Sequence, residues 1–214
     1  MPKFWKEQMK QIYEQLIELS TYCLAFANVD RATSNVDGIT PESDTDHTVM
    51  LSMVGCAFAS VFMPNLDLGK VAQFALVHDF TEVLTGDVDT LKPFDKQAKI
   101  EREKKALESL KSTFESIPWL GHTLEEYESL ASPEARFVKV LDKVLPKITQ
   151  ILSNGKTLTK RGLDSSALKK FMDSQLEDIS NSYGFDQKET LKFAQYVSDQ
   201  LLNMLIAKEN LTDS

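Results

Sequence analysis

Apolar residues recur at helical spacing along almost the whole chain. Ile12, Leu16, Leu19, Cys23 and Phe26 step by four, three, four and three, which marks one face of a first helix. Val49, Met50, Met53, Val54, Ala57, Phe58, Val61 and Phe62 form a broad stripe on a second. A third is predicted from about Leu68 to Leu84, with Gly86 as its C-terminal stop. Charged residues crowd the segment from Lys96 to Lys111, which reads as a solvated helix. Phe137, Leu141, Val144, Leu145, Ile148, Ile151 and Leu152 mark another. Asp186 with Glu189 resembles a capping box opening a last helix through Leu191, Val197, Leu201 and Leu205. No run alternates apolar and polar residues as a strand would. Two polar segments, Asn28 to Asp46 and Ser153 to Asp164, are predicted as loops. The pattern predicts an all-α fold: one helical-bundle domain over residues 1–214, with C-terminal helices at 165–208 packed on the rest.

Composition narrows the chemistry more than the fold. The chain has 24 basic and 32 acidic residues, a net charge of −8. Such a balance gives no general attraction for a nucleic-acid backbone, so no nucleic-acid polymer is expected as partner. Any phosphate must be met locally, by a metal or a few placed cations. No membrane span is expected, and the N-terminal residues lack a signal-peptide apolar run. Cys23 and Cys56 lie in apolar helical stretches and are predicted to be reduced thiols packed in a core, consistent with a cytoplasmic setting.

The third helix carries polar groups where hydrocarbon is expected. Val71, Phe74 and Ala75 define its inward face, and the same steps lead through His78, Asp79 and Glu82. Burying ionisable groups without compensation costs several kcal/mol, about 2–7 even for neutral polar groups. A divalent cation is one compensation, since imidazole and carboxylate are both common ligands; a hydrogen-bonded cluster or a frayed helix end is the other reading. His47 stands three residues before Met50 and seven before Val54, so it too borders a buried face. Asp142 interrupts an apolar helix between Val138 and Leu145, either as a further ligand or as a carboxylate paired with Lys139 or Lys143. His122, in a glycine-containing turn, is predicted at the surface.

His47, then His78-Asp79, then Asp142 resembles the H…HD…D signature of the HD superfamily of metal-dependent phosphohydrolases. The string from His78 through Glu82 to Gly86 and Asp87 is similar to the HD-x-x-E-x-x-x-G-D motif of its YfbR-like 5′-deoxynucleotidase branch. The resemblance covers roughly Leu16 to Leu152. It implies an all-α HD domain in which His47, His78, Asp79 and Asp142 ligate one divalent ion (Mn, Co, Fe, Zn or Mg), with water completing the shell. It further implies that Glu82 orients or deprotonates a water, that Asp87 meets the sugar hydroxyl, and that Arg31 binds the phosphate. Arginine suits the last role because its planar fork contacts phosphate bidentately. The chain departs from the branch at Ala32, where tryptophan commonly follows the arginine. It departs again at Glu42-Ser43-Asp44-Thr45-Asp46, where Glu-Ser-Val-Ala-Glu is usual before the histidine. Many relatives are dimers, so a homodimer is a possible assembly.

Three functions are therefore carried forward. The first is release of phosphate from a (deoxy)nucleoside 5′-monophosphate. The second is triphosphohydrolysis, for which Lys143, Lys156, Lys160 and Arg161 are the candidate extra cations. The third is a non-catalytic metal- or nucleotide-binding regulatory domain, against which Glu82 speaks, because a purely structural metal needs no spare carboxylate beside it. Lys143, next to Asp142, is also a candidate substrate-binding residue for the first.

Overall fold

The helical periodicity is borne out, with its phase corrected in several places. A computed structural model describes residues 3–212. The described elements are eleven helices and one short hairpin. Helix α1 spans Lys3–Phe26 and buries Phe26 fully and Ile12, Leu19 and Tyr22 in part. Leu16 and Cys23, expected on the same face, are exposed, whereas Cys56 is half-buried and packs against the main core, so the expected core thiol is met in part at Cys56 and not at Cys23. The helix lies at the edge of the bundle, against a cluster built on Val77, Phe80, Leu110 and Phe114, and this edge contact covers too narrow a strip for the whole face.

The segment expected as one loop contains an antiparallel pair, β1 (Asp30–Ser34) and β2 (Pro41–Ser43), registered at Asp30 to Ser43 and Ser34 to Pro41. Ser43 then caps α2 (Asp44–Phe62): its hydroxyl accepts from Asp46 N–H at 3.1 Å, and the Asp46 carboxylate accepts from Ser43 N–H at 3.2 Å. Such reciprocal capping fixes where the helix begins and hence where His47 falls on it. The buried face of α2 carries His47, Thr48, Leu51, Gly55 and Ala59, whereas Val49, Met53, Val61 and Phe62 of the predicted stripe are exposed. Gly55 permits close approach, since an added Cβ would stand 3.4–3.7 Å from Leu141, Val71 and Phe137. Helix α2 is long and apolar enough to cross a membrane by length and composition alone. Here its inward face packs against α3 (Leu68–Val77) and α7 (Pro133–Asp142).

Two predicted helices are each broken in two. The third ends at Val77, and α4 is a single turn, Glu82–Thr85. Between them the amides of Phe80, Glu82, Val83 and Leu84 bond three residues back, the tighter winding that often ends a helix. Gly86 stops α4 at φ +70°, as expected of a C-terminal glycine. The helix expected through Leu152 splits into α7 and α8 (Leu145–Leu152), with Leu152 exposed. The charged stretch forms α5 (Lys96–Thr113), and α6 (Pro118–Glu128) carries the exposed His122.

The second predicted loop contains α9 (Lys156–Lys160), followed by α10 (Ser165–Ser182) and α11 (Lys188–Thr212). Asp186 does not cap α11 with Glu189; its carboxylate accepts from Arg136 Nε and Nη2 at 3.0 and 2.6 Å. Helix α11 packs on α7 and α8, and α10 packs on α11. The α9 region clamps the hairpin: Lys156 Nζ donates to the carbonyls of Val36 and Asp37, Lys160 Nζ to that of Gly38, and Arg161 Nη2 to that of Ala32. Gly38 is required there, with φ +69° and no room for a Cβ, which would lie 2.5 Å from Lys156 Cβ.

A candidate metal centre at one end of a cavity

Four residues from two helices and the turn after a third meet in the core. His47 comes from α2, Asp142 from the last residue of α7, and His78 with Asp79 from the turn after α3. One ligand atom from each lies within 4.8 Å of the others. His47 is fully buried, His78 is 3% exposed and Asp142 is 2% exposed, so solvent does not compensate them. His47 Nε2 is 2.9 Å from Asp142 Oδ1.

The hydrogen bonding around His78 bears on what fits between these groups. Its Nδ1 lies 2.8 Å from the Ala75 carbonyl and must donate there, because a carbonyl only accepts. That leaves Nε2 turned toward Asp79 Oδ2 at 2.9 Å and Asp142 Oδ1 at 3.7 Å. The shorter approach satisfies the ion-pair distance yet is not aligned as a hydrogen bond, and Nε2 is an orphaned buried atom. Burial disfavours the His78 cation, but Asp79 and Asp142 outweigh burial and hold its pKa above the usual value. A ring nitrogen and carboxylate oxygens converging on one point, all from N and O donors, is a set that fits a divalent cation.

Glu82 stands beside this quartet. It is 4% exposed, Oε2 is buried without a partner, and Lys99 Nζ is 3.9 Å from Oε1. Burial first, and then the carboxylates of Asp79, Asp44 and Asp87, push its pKa up to about 10. The crowding of carboxylates makes Glu82 a proton holder in this electrostatic setting, and an added cation would draw the value down. Asp44, Asp79 and Glu82 form a second close trio sharing Asp79 with the first.

Arg31, near the start of β1, reaches the same place. Its Nη1 donates to Asp44 Oδ1 at 2.9 Å and to Asp79 Oδ2 at 2.8 Å, and Nε lies 3.9 Å from Glu42 Oε2. Its neighbours are themselves strained by burial, which raises Glu42 to about 7 and Asp44 to about 6 against the opposing pull of Arg31. Asp87 uses one oxygen to accept from Ala32 N–H at 2.8 Å, fixing the backbone next to Arg31. Lys143 Nζ donates to Asp142 Oδ2 at 2.7 Å. Arg31, His78, Asp79, Glu82, Asp87, Asp142 and Lys143 line one cavity of about 310 Å³, and His47 lies directly behind Asp142.

The structure separates the remaining cations. Lys156 and Lys160 are occupied in the hairpin clamp and do not line that cavity; Arg161 lines it but already bonds Asp89 and Ala32. The sequence reading missed Asp44, Glu42, Lys147 and Gln150. Lys147 could have been noticed, since it interrupts the apolar run from Val144 to Ile151 just as Asp142 does. It is 5% exposed, and burial lowers its pKa to about 8.

Comparison with known proteins identifies a family and a fold. The HD domain family matches residues 26–183. The 5′-deoxynucleotidase YGK1 of Saccharomyces cerevisiae is 33% identical over 165 residues, covering 65% of this chain and 72% of the yeast protein. The 5′-deoxynucleotidase HDDC2 of Homo sapiens is 32% identical over 108 residues, covering 48% of this chain and 50% of the human protein. The alignment thus spans about half the length of the human relative. A solved structure described as a predicted metal-dependent phosphohydrolase from Magnetospirillum magnetotacticum superimposes with a TM-score of 0.72, at 22% identity, over 95% of this chain and 97% of the other. At that identity the likeness concerns the fold.

Proposed function

Because the chain belongs to the HD domain family, we propose that it is a metal-dependent phosphohydrolase that releases phosphate from (deoxy)nucleoside 5′-monophosphates. The observation that carries the reading is the meeting of His47, His78, Asp79 and Asp142 beside a buried carboxylate, Glu82, at the end of one cavity. The names of the yeast and human relatives supply the substrate class. His47, His78, Asp79 and Asp142 would hold one divalent ion, which when bound offsets phosphoryl charge and acidifies water.

The chain's own residues do the rest. Arg31 and Lys143 face the cavity as cations and orient the phosphate. Glu82 takes a proton from the attacking water as the bond between phosphorus and the 5′ oxygen breaks, and gives that proton to the departing oxygen, which leaves as the nucleoside 5′ hydroxyl. The free oxygen of Asp87 accepts from a sugar hydroxyl. Triphosphohydrolysis has less support, because Lys156 and Lys160 are committed to backbone carbonyls of the hairpin. Product analysis with deoxynucleoside mono- and triphosphates tests the assignment. Inorganic phosphate from the monophosphate is expected, and release of intact triphosphate would replace this reading with the alternative.

Arg31→Ala tests the phosphate contact. A charge-assisted hydrogen bond contributes roughly 1.5–3 kcal/mol, so kcat/KM should fall by at least about tenfold. Unlike an exposed arginine, Arg31 also neutralises the buried Asp44, so the melting temperature should fall too. Arg31→Lys should recover stability better than kcat/KM, because it restores charge without the fork. Unchanged kinetics in both variants would remove Arg31 from the substrate site.

A further inference from the structure

The cavity continues well past the candidate metal centre. From Lys143 it runs along α8 to Lys147 and Gln150, and its far side is closed by Thr157 of α9, Gln175 of α10 and Leu201 of α11. At that end the chain leaves polar atoms without partners. Gln150 Oε1, Thr157 Oγ1 and Gln175 Oε1 are buried and unbonded, and Gln150 and Thr157 are each only 7% exposed. Lys147 Nζ donates to Ser198 Oγ at 3.1 Å, while an ammonium has three protons to place. The neighbouring walls are apolar: Leu158, Leu168, Phe171 and Met172. An apolar chamber with a few convergent, unsatisfied polar groups is what a ligand site looks like before its ligand arrives.

We propose that this end of the cavity is a nucleobase subsite selective for a lactam edge, a ring carbonyl oxygen beside a ring N–H, as in thymine, uracil, guanine and hypoxanthine. The proposal rests on the nucleotidase reading and says which nucleotides that site takes. Lys147 donates to the carbonyl oxygen, and Gln150 Oε1 accepts from the ring N–H. An amide can be turned to suit either partner, but an ammonium can only donate, so Lys147 decides the selectivity. Adenine and cytosine bring an amino group and an unprotonated ring nitrogen to the same edge, which sets donor against donor and leaves a buried cation unpaired. Lys147 lines the same cavity as Asp142 and Lys143, on the far side of the break between α7 and α8. Ser198 and Leu201 lie on α11, beyond the segment that the HD family matches.

The test compares dTMP, dUMP, dGMP and dIMP with dAMP and dCMP, and uses 2-deoxyribose 5-phosphate as a substrate without a base. The wild-type protein should favour the lactam group in kcat/KM by at least about tenfold, as expected when a buried donor is satisfied by one group and not the other. Lys147→Met should erase that preference through KM while leaving the base-free sugar phosphate unchanged. Gln150→Leu removes a buried orphan acceptor, so it should weaken lactam selectivity without lowering the melting temperature; a merely structural glutamine would not behave so. Calorimetric binding of free thymidine, deoxyguanosine, deoxyadenosine and deoxycytidine reads the subsite independently of turnover. Hydrolysis without base preference, or equal or absent binding of the four nucleosides, would overturn the subsite. Selective nucleoside binding with no hydrolysis of any phosphate would instead uphold the subsite and overturn the nucleotidase reading.

Discussion

Glu82→Gln is expected to lower kcat by about 10²–10⁴ while metal content stays near that of the wild type. That is the usual contribution of a positioned acid–base group, and glutamine keeps the size of the side chain while losing the ability to accept a full proton. The geometry suits such a separation. Glu82 sits outside the His47, His78, Asp79 and Asp142 quartet, with one oxygen buried and unbonded, and it shares only the Asp44–Asp79 side of the site. Because burial first and neighbouring carboxylates second raise its pKa, a charged carboxylate is costly there and a neutral amide of the same size is not, so Glu82→Gln should melt no lower than the wild type. Metal analysis, steady-state kinetics and thermal melting on the same preparation check the three parts. Parallel loss of metal and activity would make Glu82 a ligand, and near-normal turnover would release it from the chemistry.

Asp142→Asn should have the opposite profile, with metal and activity lost together. The wild type should carry near one divalent ion per chain, and the variant less than about a tenth of that, since the anionic donor is replaced by a weak neutral one. A metal that contributes several kcal/mol to stabilising transition-state charge implies a fall in kcat/KM of about 10³ or more. EDTA on the wild type should reproduce the loss, and added divalent ion should restore the wild type but not Asp142→Asn. His47→Ala should follow Asp142→Asn, because the two side chains touch at 2.9 Å in the closed core. Full metal content in either variant, or wild-type activity indifferent to EDTA, would rule the quartet out as the metal centre.

The site was more legible in the sequence than the packing around it. His78, Asp79, Glu82 and Asp142 could be found because ionisable groups interrupting an apolar helical stripe need a compensating partner, whatever the details of the helix. The break between α3 and α4 could not be found that way, because a tight turn of three-residue hydrogen bonds keeps nearly the same apolar phase. Helix α2 misled for another reason: it is apolar on almost every side, so periodicity did not say which face turns inward. Gly55 and Leu51 lie on the buried side through the close approach of α3 and α7, a tertiary fact. The β1–β2 pair is short and irregular in register, and it is held by the α9 clamp and by Asp87 rather than by strand propensity. Lys147 and Gln150 were passed over because each alone resembles an ordinary polar residue on a helix; only their shared burial beside Thr157 and Gln175 sets them apart.

The α9 clamp bears on which substitutions this region can absorb over generations. Lys156, Lys160 and Arg161 hold the hairpin by backbone carbonyls at Val36, Asp37, Gly38 and Ala32, and every amino acid supplies a carbonyl. The side chains at Val36 and Ile39 point into solvent, so they are free to drift without loosening the wall of the cavity. The three cations have no such freedom, because a shorter or neutral side chain cannot make the same bonds. Gly38 is fixed by a different constraint, its backbone angle and its contact with Lys156. Variation among descendants of this chain should therefore be lopsided, dense along the loop tip and sparse on the helix opposite it.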